Sequence, residues 1–383
     1  MAEAQPPRIA GRYIRQPQGY RAFVPAPLPP TPDIRIDGEM QALLSRADRA
    51  LGRLDGSIQT LPNPDLFVLM YIRKEAVLSS QIEGTQASLN DVLTAEAKIL
   101  DPAMPGDVNE VINYTHALRY GLERLETLPL SLRLVREIHE RLMRGTREGH
   151  LTPGEFRTSQ NWIGPEGAPL GAAAFVPPPP TELADSLGNL ETFLHETYNA
   201  PVLVKIGLAH AQFETIHPFL DGNGRVGRLL ITFLLCEQNV LSRPVLYLSH
   251  FLKNNRQRYY DLLQATRDSG DYESWLKFFL AGVAEVCDEA TATARNIVGL
   301  RESHRHTIAE TFGRAAGNAI RLLEHMYVAP IVSVNEAASH LGVTYVAASH
   351  IVRRLTERGF LREVTGHHRN RRFRYEPYVN LFR

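Results

Sequence analysis

Apolar residues recur at helical spacing along most of the chain, and few stretches break that spacing. From Met40, the residues Leu43, Leu44, Ala47 and Leu51 share one face, which predicts a helix that stops at Asp55-Gly56. A second helix is predicted from Asn63 or Pro64 to about Ile82, carrying Leu66, Leu69, Met70, Ile72, Ala76 and Val77, with Gly84 just beyond as a stop. Ser88-Leu89-Asn90-Asp91 reads as the cap of a short helix to about Ile99, ended by the Pro102–Pro105 stretch. Amphipathic helices follow at about Val108–Glu126 and Ser131–Arg144; His139 in the second reads as packed or hydrogen-bonded. Helical spacing returns at Thr181–Tyr198, Pro201–Ile216, the apolar run Leu229–Leu235 and Leu248–Gln264, and then around Trp275, Phe278 and Phe279 toward Ala284. The fold class is mostly α.

Three regions depart from that pattern. Residues 1–36 are rich in proline and predict an arm with little regular structure, either extended against the body or flexible. Residues 151–180 read as two short extended segments, around Thr158–Gly164 and Ala174–Pro180, flanking a glycine-rich tip. After a polar helical connector at 285–313, residues 314–383 predict helices at Ala316–Tyr327, Val334–Leu341 and Thr344–Arg358, then strands at Gly359–Arg362 and Arg371–Tyr375.

The chain of 383 residues is long enough for two or three domains, with 42 Lys plus Arg balanced by 42 Asp plus Glu. That neutrality gives no global mark of a nucleic-acid or membrane-surface protein. Cys236 and Cys287 read as reduced, packed thiols, and no stretch approaches the roughly 20 apolar residues of a membrane span. A cytoplasmic location is the simplest expectation.

Candidate chemistry concentrates in His217-Pro-Phe-Leu-Asp-Gly-Asn-Gly-Arg-Val-Gly-Arg228. Glycines at 222 and 224 allow a sharp turn close to a ligand, and a helix beginning there would aim free N–H groups at an anion. Arg225 and Arg228 share a helical face and can converge on one polyanion beside His217, a candidate base. No Gly-Lys-Ser/Thr follows, which excludes a P-loop. Two plainer readings stand beside it: a helix-to-helix turn with solvated arginines, and a metal site of His210, Glu214 and His217 on one face.

The twelve-residue stretch resembles the signature of the Fic family, His-x-Phe-x-Asp/Glu-Gly-Asn-Gly-Arg-x-x-Arg, with every specified position filled. The resemblance covers roughly residues 20–290. It implies a Fic-type helical core and transfer of AMP from ATP, with Mg2+, onto a Tyr, Ser or Thr hydroxyl of a target protein or of the chain itself. His217 would be the base, Phe219 would pack beneath the loop, and Asp221 would hold the magnesium. Gly222, Asn223 and Gly224 would cradle phosphates, Arg225 would pair with the departing phosphates, and Arg228 with the γ-phosphate. Asn254, Tyr259 and Tyr260 would surround the adenosine.

Two further segments match that family. Ser79-Ser80-Gln81-Ile82-Glu83-Gly84 is similar to its inhibitory motif, in which Glu83 would occupy Arg228; alone it is equally an ordinary helix end. Residues 158–180 would be the β-hairpin flap that aligns a target segment by strand addition. The order of elements in 314–383 resembles a winged helix-turn-helix, and eight arginines between Ile351 and Tyr375 suit contact with DNA through 344–375. Such units also serve in dimerisation or protein docking, and a homodimer stays open. The expected organisation is an arm at 1–36, an N-terminal helical region with the inhibitory helix at 37–105, a core at 106–284, a connector at 285–313 and a winged helix at 314–383. The rivals are a nucleotide-sensing DNA-binding regulator and a Fic enzyme that uses another nucleotide or removes AMP.

Overall fold

A computed structural model of the chain describes residues 8–59, 61, 64–99, 104–146, 151–164, 167 and 169–382. Asn63, Pro102, Ala103 and part of the glycine-rich tip at 165–168 therefore lie outside the described residues. The arm is not devoid of regular structure. Strands β1 (Gly11–Arg15) and β2 (Arg21–Pro25) pair antiparallel, with Gly11 opposite Pro25 and Arg15 opposite Arg21. Their order comes from burial rather than local propensity. Ala22, Phe23 and Val24 are buried, and the Phe23 N–H donates to the Val176 carbonyl at 2.9 Å. Arg8 then clamps the arm to Glu273 at 2.7 Å and to the Gly270 carbonyl at 2.7 Å.

Helix α1 (Gly38–Gln59) runs through Asp55-Gly56 instead of stopping there. Leu54 and Ile58 remain buried on its inner face, and that packing outweighs the roughly 1 kcal/mol that a mid-helix glycine costs. Next come α2 (Asp65–Ile82), α3 (Leu89–Glu96), α4 (Val108–Leu125) and α5 (Leu132–Met143). Ser88 and Asp91 form the reciprocal cap of α3. Among the described residues after α5 and up to 179 there is a short 3-10 turn, Leu170–Ala172, and an antiparallel bridge, Ile163 to Phe175, that holds the hairpin. It is followed by α6 (Pro180–His195), α7 (Val202–Ile216) and α8 (Asn223–Glu237). From Leu203 to Ile216 only Lys205 is not fully buried, so α7 is buried on nearly all sides and forms the centre of the molecule with α8.

The segment Leu248–Gln264 falls in two helices, α9 (Ser249–Asn254) and α10 (Arg256–Ser269), divided at Asn255. The expected connector at 285–313 is mostly the second half of a single 40-residue helix, α11 (Tyr272–Thr311). Cys287, Ala290, Thr291, Ala294 and Ile297 are buried along it, and it packs lengthwise on α1. No helix among the described residues is long and apolar enough to cross a membrane.

The C-terminal unit contains α12 (Ala316–Met326), β3 (Ile331–Ser333), α13 (Val334–Leu341), α14 (Tyr345–Glu357), β4 (Leu361–Glu363), β5 (Arg372–Tyr375) and α15 (Glu376–Asn380). Its antiparallel sheet has the order β3-β5-β4. Strand β3 and helix α15 have no counterpart in the sequence reading, because three and five residues are too short to show a period. This unit is not separate from the rest. Phe382 packs edge-on against Tyr71 of α2 at 5.8 Å, and Arg354 caps the end of α11 through the carbonyls of Thr311 and Phe312.

Helix α2 also buries Glu75, which accepts from Ser249 at 2.5 Å and from Tyr114 at 3.2 Å. Burial pushes the Glu75 pKa from 4.5 up to about 7, against those hydrogen bonds and the Arg228 charge. The folded chain therefore holds a proton that the unfolded chain releases, and stability should fall as pH rises from about 4.5 to 7. Glu75→Gln should reduce that decline, as checked by urea unfolding of both proteins at pH 5 and pH 8; an identical decline in the two would contradict it.

Candidate active site

The loop between α7 and α8 carries most of the chemistry, and backbone geometry sets its shape. His217 ends α7 in the left-handed region, φ 49°, an unusual conformation for a side chain other than glycine or asparagine. Gly222 precedes α8 with φ 77°, where a Cβ would also press on Met143 Sδ at 2.9 Å. Between them the loop is tied down from several sides. Asn223 accepts from the Phe219 N–H and donates to the Phe219 carbonyl, both at 2.8 Å. Phe219 stacks on His139 at 3.7 Å. His139 accepts the Gly154 N–H at Nδ1, so its proton is on Nε2, which donates to the Asp221 carbonyl at 3.0 Å. Burial pushes its pKa down to about 4, in keeping with a neutral, structural side chain.

A cavity of about 770 Å³ opens in front of this loop, within the range of small-molecule sites. Its walls are the loop, the flap at Trp162–Gly164 and Ala174-Phe175, and the face of α10 from Arg256 to Arg267. His217 faces it, with Nδ1 buried and without a hydrogen-bond partner. Burial first, then the nearby Arg267 and Arg157, push the His217 pKa down to about 3, so the imidazole is neutral at physiological pH.

Arg228 is 3% exposed and points across the N-terminal end of α8 to α2. Its Nε donates to Ser79 Oγ at 2.8 Å, and its Nη2 donates to the Ser79 carbonyl at 2.9 Å and to Glu83 Oε1 at 2.6 Å. Glu83 lies at the C-cap of α2, and Gly84 with φ 103° turns the chain away. The carboxylate sits so close over Gly224 that a Cβ there would collide with it. Burial raises the Glu83 pKa, but the Arg228 charge and hydrogen bond, and then the Arg225 charge, outweigh that and keep it below the ordinary carboxylate value.

Some expected site residues have other work. Asn254 does not line the cavity; its amide meets His250 at 3.1 Å. The Asn223 side chain lines the cavity but is tied to the loop backbone through its oxygen and one of its two amide hydrogens. Arg225 is buried against Glu110 at 3.0 Å and Asp221 at 2.8 Å, outside the cavity wall. Tyr259 borders the cavity but is 1% exposed, its hydroxyl hydrogen-bonded to His210 Nε2 at 2.9 Å, whereas Tyr260 is 38% exposed. His210 Nδ1 meets the Gly227 carbonyl at 2.9 Å, so both ring nitrogens are engaged and the three-residue metal site has no basis. No cluster of three metal-ligating residues occurs among the described residues.

Residues that the sequence reading missed hold the site from outside the signature. Arg157 donates to the His217 carbonyl at 2.9 Å and the Pro178 carbonyl at 2.6 Å, joining loop and flap. Asn161 reaches the Phe219 carbonyl at 2.7 Å. Arg267 lies 3.9 Å over the Phe175 ring and lines the cavity. Glu214 was read only as a partner in a metal site. None of the others carries a local sequence signal.

With this geometry in view, comparison with known proteins gives the class. Residues 41–123 match the Fic/DOC family N-terminal domain and residues 129–235 the Fic/DOC family domain; the second match takes in the loop and the described flap residues, while α10 lies beyond it. Similarity to named proteins is more distant. The chain is 28% identical over 200 residues to the protein adenylyltransferase Fic of Drosophila willistoni, across 51% of this chain and 35% of that one. It is 29% identical over 201 residues to the protein of the same name from Aedes aegypti. The match thus spans about a third of the length of those relatives, 35%. The fold is similar to that of a Fic family protein from Desulfovibrio desulfuricans (TM-score 0.58, 19% identity, 89% of this chain and 97% of that chain). It is also similar to a Fic domain-containing signalling protein from Bacteroides thetaiotaomicron (TM-score 0.53, 17% identity, 65% of this chain and 97% of that chain).

Asn223→Ala should loosen the loop, since the buried Phe219 N–H loses its partner and the Phe219 carbonyl keeps only Asn161. A loss of about 1–3 kcal/mol is expected. Denaturant unfolding checks this, and a change below about 0.5 kcal/mol, the level of a surface substitution, would contradict it.

Proposed function

We propose that the chain is a protein adenylyltransferase that moves AMP from ATP to a hydroxyl side chain and is held in check by Glu83. The observation that carries this reading is the Arg228–Glu83 contact at 2.6 Å above Gly224, a carboxylate on the anion seat of a helix N-terminus. A γ-phosphate reaching Arg228 would have to displace that carboxylate. The names of the relatives from Drosophila willistoni and Aedes aegypti point to the same activity.

The residues supply each element of the transfer. The acceptor oxygen attacks the α-phosphorus, its proton passes to the neutral His217 imidazole, and the bond to the β-phosphate oxygen breaks to release pyrophosphate. Positioning and charge neutralisation suffice for such a displacement. The N–H groups at the start of α8 and the Arg228 guanidinium would receive the phosphates. Asp221 lines the cavity with its side chain 38% exposed and one oxygen bound to Arg225, which fits a magnesium ion that takes its other ligands from phosphates and water. When bound, that ion would neutralise phosphate charge. The flap edge around Trp162, which is 39% exposed, is the place for an extended target segment.

A second activity is supported by the C-terminal unit, whose helix and strand order suits a winged helix-turn-helix. Tyr345 and Val346, 56% and 77% exposed, open α14 where a recognition helix would meet a groove. Only some of its arginines are available for DNA. Arg354 is a helix cap, Arg372 pairs with Glu336 at 2.5 Å and Arg374 with Glu376 at 2.6 Å. Arg353, Arg358, Arg362, Arg369 and Arg371 remain exposed, Arg353 beside Glu357 at 3.6 Å and Arg362 beside Glu376 at 3.8 Å. Their joint neutralisation in the full chain should weaken binding to every duplex tested and lower its salt dependence. Unchanged binding in a mobility-shift titration, or none by the wild type at low salt, would assign this unit to protein docking.

For the transfer itself, Glu83→Gly should raise incorporation of label from [α-32P]ATP into protein, self-modification included, by an order of magnitude or more. His217→Ala should abolish incorporation while leaving ATP affinity near that of the parent. No increase in folded Glu83→Gly would mean that Ser79–Gly84 is only a helix end.

A further inference from the structure

Glu214 has no task in the transfer just described, yet it stands in the wall of the same cavity. It lies on the last turn of α7, is 6% exposed, and its Oε1 is buried without a hydrogen-bond partner. The carboxyl rests on the backbone of Gly227, where any Cβ would collide with Oε1. Two guanidiniums are near, and neither pairs with it. Arg228 is engaged by Ser79 and Glu83, and Arg267 donates at 3.2 Å to the backbone carbonyl of Glu214, not to its side chain. Oε1 is closed off by Gly227, so a cavity ligand can meet Glu214 only at the rest of its carboxyl group.

The position narrows the ligand group. Gly227 follows Gly224 by about one helical turn, so Glu214 lies deeper than the anion seat, on the side facing α10 with Tyr259 and Arg267. A phosphate there would set one anion against another. A neutral or positively polarised donor meets no such repulsion. A nucleotide offers two kinds, the sugar hydroxyls and the exocyclic amino group of the base. Burial, opposed by Arg228 and Arg267, brings the Glu214 pKa up to about 7, so the carboxyl can adapt its protonation to the partner it receives.

We propose that Glu214 is a specificity-determining residue of the nucleotide cavity, whose carboxyl group accepts a hydrogen bond from a donor on the nucleoside. The inference rests on the cavity being a nucleotide site, and the test separates the two. Isothermal titration of the full chain with ATP, 2′-deoxy-ATP, 3′-deoxy-ATP and inosine triphosphate, with magnesium, compares wild type, Glu214→Gln and Glu214→Ala. Wild type should bind the analogue that lacks the donor about tenfold more weakly than ATP. The deoxy analogues report a sugar hydroxyl and the inosine analogue the amino group. Glu214→Gln, which keeps an acceptor oxygen, should retain the preference, and Glu214→Ala should lose it. Should Glu214→Ala fail to fold, Glu214→Leu fills the space without a polar atom and carries the same test. Equal affinity of wild type for all four, or full discrimination in the folded apolar variant, overturns the role of Glu214. If wild type binds none of them, the nucleotide reading of the cavity falls as well.

Discussion

The contact of Arg228 with Ser79 and Glu83 is the interaction on which the rest of the site depends. It joins the two helices whose ends define the cavity, the C-terminus of α2 and the N-terminus of α8, through one buried guanidinium. A guanidinium so deeply buried needs a negative partner, because leaving it unpaired would cost several kcal/mol. In the structure that partner is Glu83. On the proposed reading it is exchanged for a phosphate when the enzyme works. One cation then serves either state, and the competition is between two anions for the same seat.

That exchange has meaning only if the loop stays fixed while the carboxylate moves. The structure provides this through bonds independent of Glu83. Asn223 and Asn161 hold the Phe219 backbone, Arg157 holds the His217 carbonyl, and His139 supports Asp221. Arg157 also ties the loop to the flap at Pro178, while β2 of the N-terminal hairpin supports the flap at Val176. At its other end α2 packs against Phe382 through Tyr71, so the helix bearing Glu83 shares its core with the C-terminal unit.

The part of this that the sequence revealed was the contiguous part. The run from His217 to Arg228 holds the candidate base, the turn and the arginines within twelve residues, and most helices are visible from their apolar spacing. What stayed hidden depends on tertiary contact. Arg157, Asn161 and Arg267 arrive from distant elements, and no local pattern distinguishes them from solvated polar residues. The N-terminal hairpin is ordered by burial of Phe23 against the flap, which a proline-rich composition does not announce. Asn254 lies outside the cavity wall, and sequence distance from the signature does not tell that α10 rather than α9 lines it. Most of the arginines of the C-terminal unit were counted as free charge, although Arg354, Arg372 and Arg374 are held in caps and ion pairs.

The central claim is that Glu83 acts only by occupying Arg228. Transfer of labelled AMP by wild type, Glu83→Gly, Arg228→Ala and the double variant forms a thermodynamic cycle that isolates this coupling. The account predicts that losing Glu83 accelerates transfer when Arg228 is present and has no effect when it is absent, with both Arg228→Ala proteins inactive. An equal acceleration by Glu83→Gly in the Arg228→Ala background would contradict it.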